Sequence, residues 1–438
     1  MALSLRVPRA ASFAAFCHLF SGYDESWIRE RTWGPMQTLV TLFALVEPGR
    51  DTSYQSACQA AHTWAHERFH WDRLTVPHPC GFKRARDRVN EDQCATLLSS
   101  AQALGQAAMK RTRSRRFGGR PLVAFDGSIL HMPRSRELVR EYGVPKDSLG
   151  TPTCHYPQAR LMTVWDVERR IPLAWELGSP AHGERAMALG LLERIPEGAI
   201  CIFDRGFPAR EFFGKILDSG RDFVARMVAS QASAWAEVTA FLASGKRSSI
   251  LRVEVGSGDR RRKVRLRLVR RAFAVGRPAK HQTRDLMVII SSVLDEPISS
   301  RDLCRLYGER WGIEVIYREL KALAEVERWH GTTKALVRQE IILLLVWFCF
   351  AAILADAARR SRPPMPGQEG WRPNTRRVFD AIARVMEALI ANIADSPLIA
   401  ELMRRADMAL SDMCRWMLRR RPGRTYSRVP LHPYARRL

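Results

Sequence analysis

The spacing of apolar and polar positions predicts three helices in the first quarter of the chain. Apolar residues recur at helical intervals over residues 36–46, 53–69 and 92–109. A basic cluster at residues 81–89 precedes the third helix. A second basic cluster follows it and contains Lys110, Arg111, Arg113, Arg115 and Arg116. Basic side chains around short helices suit contacts with a DNA backbone, and a solvated charged surface with a linker is the alternative.

The pattern changes at about residue 121 to one that predicts an α/β core. Candidate strands are short apolar runs, at residues 122–125, 160–167, 171–176 and 199–203. Helical spacing follows at residues 184–194 and 209–219. This order predicts the α/β class, with a mixed sheet flanked by helices.

Between residues 221 and 294 the β pattern dominates. Candidate strands are at residues 222–227, 250–255, 263–273 and 286–293. The segment is longer than the connection that would lead from one core strand to the next core helix. It is also rich in arginine from Arg260 to Arg271. We therefore predict a β-rich insertion into the core.

The last third of the chain is predicted to be helical. One long helix is expected from the capping residues Ser299 and Ser300 to about residue 325. The uncharged run at residues 341–355 is shorter than the ~20 residues of a membrane-spanning helix, so we expect a buried core helix and no membrane partner. A further helix is predicted at residues 376–393.

These patterns predict six segments. They are a helical DNA-binding N-terminal domain at 1–118, the first part of the α/β core at 119–226, the β-rich insertion at 227–295, the second part of the core at 296–360, C-terminal helices with a possible dimerisation role at 361–414, and a basic disordered tail at 415–438.

Composition narrows the class of partner. The formal net charge is +25 and the sequence pI is near 10.5, and so large an excess of positive charge favours a polyanion such as nucleic acid. The nine cysteines are scattered without a C-x-x-C pair, which indicates neither a zinc ribbon nor a disulfide framework. We expect a reducing cytoplasm.

Two aspartates have the setting of metal ligands. Asp126 and Asp204 each follow an apolar run and precede a nearby glycine, Gly127 and Gly206. A carboxylate at the end of a buried strand, beside a glycine that permits close approach, holds a hard cation rigidly. An Asp followed by Gly is also a common turn, so neither aspartate is decisive alone.

The third element is a helix face that carries four polar residues at offsets 0, 3, 7 and 14. They are Tyr307, Arg310, Glu314 and Lys321. At 100° per residue these positions fall within about 60° of one another, while Ile316 and Leu320 gather on the opposite side. The alternative is a solvated face on which Glu314 pairs with Arg310 or Arg318.

The spacing Y-x2-R-x3-E-x6-K resembles the signature of DDE-type transposases of the insertion-sequence-four family. Other segments are similar to this family as well. They are Asp126-Gly-Ser, Asp204-Arg-Gly-Phe, Ser-Pro-Ala-His-Gly-Glu184, Leu-Val-Arg-Gln-Glu340-Ile and the basic tail. The resemblance extends from about Phe82 to the end of the chain.

The resemblance implies a ribonuclease H-like core in which Asp126, Asp204 and Glu314 hold two Mg²⁺ ions, with Mn²⁺ as a substitute. It implies cut-and-paste excision and strand transfer of an insertion sequence. The DNA partners would be the terminal inverted repeats and a target duplex. A homodimer in the synaptic complex and a bacterial, nucleoid-associated location in the cytoplasm are further expectations.

The resemblance also implies roles for residues around the triad. Tyr307, Arg310 and Lys321 would hold phosphates of the terminal nucleotides. Arg205 would reach a phosphate or form a structural ion pair. The family-like segment places His182 and Glu184 as supporting partners of the site.

Alternatives remain at this stage. The chain could be a metal-dependent nuclease that cuts without joining, or a transposase-derived DNA-binding protein without catalysis. His62, His66 and His70 recur every four residues, but no cysteine or carboxylate cluster completes a metal site, so we interpret them as structural or surface residues. Trp235 is interpreted as a core residue rather than a platform for a flipped base.

Overall fold

A single mixed sheet of eight strands forms the centre of the protein. In this computed structural model the described residues are 32–48, 53–66, 71–72, 74–109, 114–227, 235–273, 285–295, 297–322, 326–361, 372–373, 378–380 and 417–418. The strands are β1 (Leu122–His131), β2 (Gln158–Asp166), β3 (Pro172–Gly178), β4 (Ile200–Phe203), β5 (Asp222–Met227), β6 (Ser248–Val255), β7 (Arg262–Phe273) and β8 (Asp285–Ser291). Their spatial order is β3-β2-β1-β4-β5-β8-β7-β6.

The first five strands have the ribonuclease H-like arrangement. β1, β4 and β5 are parallel, and β2 runs antiparallel to both of its neighbours, β1 and β3. The α/β class with a mixed sheet flanked by helices, predicted from the sequence, is therefore confirmed.

The three strands after β5 extend this sheet. β8 pairs antiparallel with β5, β7 with β8, and β6 with β7, so the β-rich segment continues the core sheet at its edge. One helix in the segment, at Ala236–Ala243, was not predicted. Trp235 precedes it and is buried. The boundaries of the six predicted segments stay predictions.

The helices pack on both sides of the sheet. In chain order they are α1 (Pro35–Leu45), α2 (Tyr54–Ala65), α3 (Pro79–Arg86), α4 (Glu91–Ala108), α5 (Arg136–Tyr142), α6 (Glu184–Gly190), α7 (Arg210–Asp218), α8 (Ala236–Ala243), α9 (Ser300–Glu309), α10 (Trp311–Ala322) and α11 (Lys334–Ser361). The patterns did not predict α3 and α5, which are only two turns long.

Alternation along the strands supplies two separate apolar cores. Leu122 and Ala124 of β1 belong to a core that also contains the N-terminal helices and α11. Val123 and Phe125 belong to the core on the other face, together with residues of α6, α7 and α8. Successive side chains of a strand point to opposite faces, so β1 is covered on both sides.

Two sequence predictions about local structure are wrong. β1 does not end at Asp126 but continues to His131, because β2 pairs with it along this whole length. The single helix predicted to begin at Ser299 is divided into α9 and α10 at Arg310. Arg310 keeps helical backbone angles, so the two helices follow one another closely in direction.

Helix α11 is a core helix. By length and composition its segment Lys334–Asp356 could cross a membrane, but 83% of its most apolar window is buried inside the protein. Trp347 stacks on Phe43 of α1 with ring centroids 4.3 Å apart, and its indole N–H donates to the Phe43 carbonyl at 3.1 Å. The buried helix expected at residues 341–355 therefore lies within a longer one.

A buried polar cluster ties the N-terminal helices to α11. The Arg86 guanidinium is completely buried and forms an ion pair with Glu340. Glu340 also accepts from the backbone N–H groups of His330 and Gly331. Burial opposes ionisation, yet the hydrogen bond from His330 and the charge of Arg86 hold the pKa of Glu340 below its ordinary value.

This cluster corrects the interpretation of two sequence features. Arg86 lies in the basic cluster at residues 81–89 that was expected to contact DNA, and its burial excludes that contact. The family-like Leu-Val-Arg-Gln-Glu340 segment is part of the same connection. Gln339 donates to the Val89 carbonyl at 2.7 Å, and Arg338 pairs with Glu91 at 2.7 Å.

The histidines of α2 make internal contacts. His62 Nε2 lies 2.8 Å from the Asp72 carbonyl oxygen, and the His62 ring stacks against His66 and Trp71. His70 lies outside the described residues. So do most of the second basic cluster, most of the predicted helix at 376–393 and the tail from 419. In the described part of the C-terminal region, Arg372–Pro373 pairs with Met417–Leu418.

The buried ion pair gives a prediction for stability. Arg86→Met leaves Glu340 buried without its charged partner, so we expect the free energy of unfolding to fall by about 3–5 kcal/mol. Arg84→Met, at an exposed position of the same helix, is the control and is expected to change it by less than about 0.5 kcal/mol. Urea denaturation of both variants measures this. Equal changes in the free energy of unfolding of the two variants would show that the Arg86–Glu340 ion pair contributes no more to stability than an exposed arginine does.

Candidate active site

The pairing of β1 with β4 brings the two aspartates together. Ala124 and Ile202 are register partners in this parallel pair, so Asp126 and Asp204, two residues further along, lie level with one another. Side chains alternate along a strand, so Asp126 continues the side of β1 that carries Ala124. Asp204 is the first residue beyond β4. The strand register therefore sets the spacing of these carboxylates.

Each aspartate is oriented by a backbone N–H of a following glycine. Asp126 Oδ1 accepts from Gly127 at 3.1 Å, and Asp204 Oδ1 accepts from Gly206 at 2.7 Å. Both side chains are half-buried. One oxygen of each carboxylate is thus fixed locally, which leaves the other oxygen for a ligand.

Tyr317 fixes helix α10 to the aspartates. Its buried hydroxyl donates to the Asp126 carbonyl at 2.7 Å and lies 2.6 Å from the Thr163 hydroxyl on β2. Glu314 is one turn earlier on the same helix, so this contact fixes the turn of α10 that carries Glu314 relative to β1. Sequence reasoning missed Tyr317, although its place three residues after Glu314 puts it on the polar face.

Arg310 and Glu314 form the ion pair that the alternative interpretation of this helix foresaw. Arg310 Nη2 lies 2.6 Å from Glu314 Oε1, and the guanidinium lies 5.6 Å from the centroid of the Tyr307 ring. Both Arg310 and Tyr307 are buried. The Arg310 Nε is buried and has no hydrogen-bond partner within the described part of the chain. Contact of either residue with phosphate stays a prediction.

The other predicted phosphate ligands are exposed. Lys321 Nζ donates to the Ile129 carbonyl on β1 at 2.6 Å, which holds the end of α10 against the strand. Arg205 is exposed next to Asp204. Both side chains are open to solvent, and their contact with phosphate stays a prediction.

A fourth carboxylate, Glu184, lies beside the two glycines that follow the aspartates. A Cβ atom on Gly127 would lie 2.4 Å from Glu184 Oε1, and one on Gly206 would lie 3.8 Å from Glu184 Oε2. Glu184 Oε1 also pairs with Arg160 Nη1 at 3.2 Å. Sequence reasoning treated Glu184 only as a supporting partner, because nothing in a strand pattern shows where a helix N-terminus will lie. His182 is exposed.

Burial and like charge disfavour ionisation here. Burial, followed by the negative charges of Asp204 and Glu184, raises the pKa of Asp126 to about 7 against the opposing effect of Arg310. Burial also raises the pKa of Glu184, while Arg160 opposes the rise and Asp204 adds to it. Such a set of half-buried carboxylates is stabilised by a cation.

The donor set fits a hard divalent cation. Asp126, Asp204, Glu184 and Glu314 offer only carboxylate oxygens, which are the ligands that Mg²⁺ and Mn²⁺ prefer. Within the described ranges, no three or more His, Cys, Asp or Glu side chains are grouped so that they could hold a metal ion in their present positions. Glu314 instead pairs with the Arg310 guanidinium.

Trp235 belongs to the core of the second face. Its ring meets Phe213 edge to face with centroids 6.0 Å apart, and the Arg210 guanidinium lies 4.5 Å above it. Its burial agrees with the interpretation of Trp235 as a packing residue.

Comparison with known proteins identifies the family. The family model described as transposase DDE domain matches residues 117–349, which is more than half of the chain and contains Asp126, Asp204 and Glu314. The chain therefore belongs to the DDE transposase family.

Other comparisons add less. The chain is similar to a piggyBac transposase solved by cryo-EM in a synaptic complex with hairpin DNA, with 10% identity over 95% of this chain and 84% of that one, and a TM-score of 0.43. A TM-score of this size does not establish a shared fold, and the assignment of the fold rests on the strand order. No curated protein matches the chain.

The contact between Tyr317 and β1 gives a second prediction. Tyr317→Phe removes a buried hydroxyl that bonds Asp126 and Thr163, so we expect unfolding to become easier by about 1–3 kcal/mol. Tyr156→Phe, at a side chain that is 51% exposed, is the control and is expected to be neutral. Thermal unfolding of the two variants makes the comparison. A stable Tyr317→Phe protein would mean that apolar packing alone positions α10.

Proposed function

We propose that the protein is a cut-and-paste DNA transposase of the insertion-sequence-four group. It would excise an insertion sequence at its terminal inverted repeats and join it to target DNA. One observation carries the proposal. In a chain of the DDE transposase family, strand register sets Asp126 level with Asp204, and Tyr317 fixes the helix of Glu314 to the backbone of Asp126.

The residues that would hold the cations are Asp126, Asp204 and Glu314. Two Mg²⁺ ions, or Mn²⁺ in their place, supply activation of a water or 3′-hydroxyl and stabilisation of the leaving oxygen in an in-line phosphoryl displacement. The carboxylates supply the negative charge that retains such ions. No nucleophilic side chain is required, and none is assigned.

The remaining polar residues would position DNA. Lys321 and Arg205 are exposed, and they would bind phosphates of the terminal nucleotides. Arg310 neutralises and orients Glu314 in the metal-free protein, and would turn toward a phosphate once a cation takes over that charge. The Tyr307 hydroxyl would contribute to the same phosphate site.

An exposed basic surface on the outer strands supports DNA binding. Arg252 on β6 is the register partner of Arg265 on β7, and Lys263 lies two residues before Arg265. All three are exposed, and none forms an ion pair within the described part of the chain. Like charges directly opposite one another destabilise a sheet, so the placement of Arg252 opposite Arg265 favours an anionic partner.

Assembly and location follow from the same proposal. Two transposon ends must be brought together, which favours a homodimer in the synaptic complex. The segment at 361–414 would supply the dimer contacts, and the N-terminal helices and the basic tail would add DNA contacts. A bacterial cytoplasmic location near the nucleoid would give access to the DNA.

The main test is Glu314→Gln. The amide oxygen of glutamine can still accept from Arg310, so we expect a folded protein that binds DNA. The negative charge is lost, so cleavage and strand transfer in Mg²⁺ should fall by at least about 1000-fold, or about 4 kcal/mol of barrier. The substrate is a duplex carrying the flanking inverted repeat. DNA binding is measured in parallel by fluorescence anisotropy.

The control for this test is Glu193→Gln, at an exposed position away from the carboxylates, and it should cut and join like the wild type. Equal activity of Glu314→Gln and the wild type would make Glu314 a structural partner of Arg310 and remove the catalytic assignment. A wild type that cuts but never joins a pre-cut 3′-hydroxyl end would be a nuclease.

The basic surface gives a separate prediction. Replacing both Arg252 and Arg265 by Gln should weaken binding to duplexes of any sequence and lower the slope of log affinity against log salt by about 2. The charge-matched control replaces Arg136 and Arg140, two exposed residues of α5. If both double variants weaken binding equally, net charge is responsible and the outer strands do not contact DNA.

A further inference from the structure

Glu184 reaches the centre of the site from outside the catalytic triad. It is the first residue of α6, and the preceding Gly183 has a φ of +71°, which turns the chain so that the helix starts beside β1 and β4. Its carboxylate fills the space that a side chain at position 127 would occupy. The glycine after Asp126 therefore makes room for Glu184.

The ion pair with Arg160 leaves one oxygen of the Glu184 carboxylate without a hydrogen bond in the described part of the chain. The shortest distance between the two side chains is 3.2 Å, from Arg160 Nη1 to Glu184 Oε1, and the Arg160 Nε remains without a hydrogen-bond partner within the described residues. No hydrogen bond to Oε2 is found in the same part of the chain, and this oxygen lies on the side of Gly206 and Asp204. Oε2 is therefore available to a ligand on the side of Asp204.

We propose that Glu184 is a fourth carboxylate ligand of the metal centre and binds a divalent cation together with Asp126 and Asp204. The inference rests on the proposed function, since it concerns the same cations. Its basis is the position of the Glu184 carboxylate between the glycines that follow the two aspartates, with one oxygen uncommitted. Arg160 then serves as the counter-ion of Glu184 before the cation binds.

The effect of removing Arg160 distinguishes a ligand role of Glu184 from a structural one. If Glu184 binds the cation, Arg160 competes with the cation for it, so removal of Arg160 leaves binding equal or tighter. If Glu184 only supports the fold through its ion pair, removal of either partner breaks the same interaction. The two variants would then weaken cation binding alike.

The experiment measures Mn²⁺ binding to the full-length, metal-free protein without DNA, by isothermal titration calorimetry and by the electron paramagnetic resonance signal of free Mn²⁺. The proteins are the wild type, Glu184→Gln, Arg160→Gln, Asp204→Asn as a triad reference and Glu193→Gln as the control. We expect Glu184→Gln to weaken Mn²⁺ binding by about 100-fold or more, the upper limit for loss of a supporting residue. Arg160→Gln should bind at least as tightly as the wild type.

Other results would overturn the inference. Wild-type affinity in Glu184→Gln, with binding lost in Asp204→Asn, would reject Glu184 as a ligand and leave the proposed function intact. Equal weakening in Glu184→Gln and Arg160→Gln would assign Glu184 a structural role. Absence of Mn²⁺ binding to the wild type would reject both the inference and the metal part of the proposed function.

A second variant tests the same point without removing any carboxylate. Gly127→Ala places a Cβ 2.4 Å from Glu184 Oε1, and the flexible end of Glu184 can move away at little cost to folding. We expect weaker Mn²⁺ binding with an unchanged circular dichroism spectrum. Gly190→Ala, in α6 with open space around it, is the control. Unchanged Mn²⁺ binding in Gly127→Ala would count against the proposal.

Discussion

The structure depends on holding several carboxylates close together in a half-buried place. Mutual repulsion and desolvation act against this arrangement, as the raised pKa of Asp126 shows, and folding must supply the compensation. The sheet does so by fixing Asp126 and Asp204 on neighbouring parallel strands, whose spacing backbone hydrogen bonds maintain. Arg310 and Arg160 then provide positive charge beside Glu314 and Glu184.

Several features of the sequence follow from this constraint. The glycines after the aspartates donate backbone N–H groups to them, and Gly127 leaves its side-chain space to Glu184. The Tyr317 hydroxyl connects three elements, because it reaches the backbone of β1 and Thr163 on β2 from α10. Loss of any of these contacts would move a carboxylate rather than unfold the sheet. The positions of the carboxylates are thus set by several residues that carry no charge.

Sequence patterns predicted the strands of the core closely and the site only in part. Apolar runs located β2 to β5 because strands buried on both faces leave a continuous signal. They stopped β1 at Asp126, since a polar residue in the middle of a strand resembles a strand end. Apolar runs did not show that Asp126 meets Asp204, and only the family resemblance grouped them. The place of Glu184 had no sequence signal, because it depends on how α6 packs. The break at Arg310 also has no local signal in a periodic pattern.

Resemblance to a family identifies residues that matter without telling why they matter. The Leu-Val-Arg-Gln-Glu340 segment resembles the family, and in the structure Glu340 pairs with the buried Arg86 while Gln339 donates to the backbone before α4. Removing one partner of a buried ion pair strongly destabilises a protein, so substitutions in such a segment can be as damaging as substitutions of catalytic residues. Glu184 differs from Glu340 in how its oxygens are used. Both oxygens of Glu340 accept hydrogen bonds from the fold, whereas within the described residues no hydrogen bond reaches Glu184 Oε2, which leaves that oxygen available to a cation.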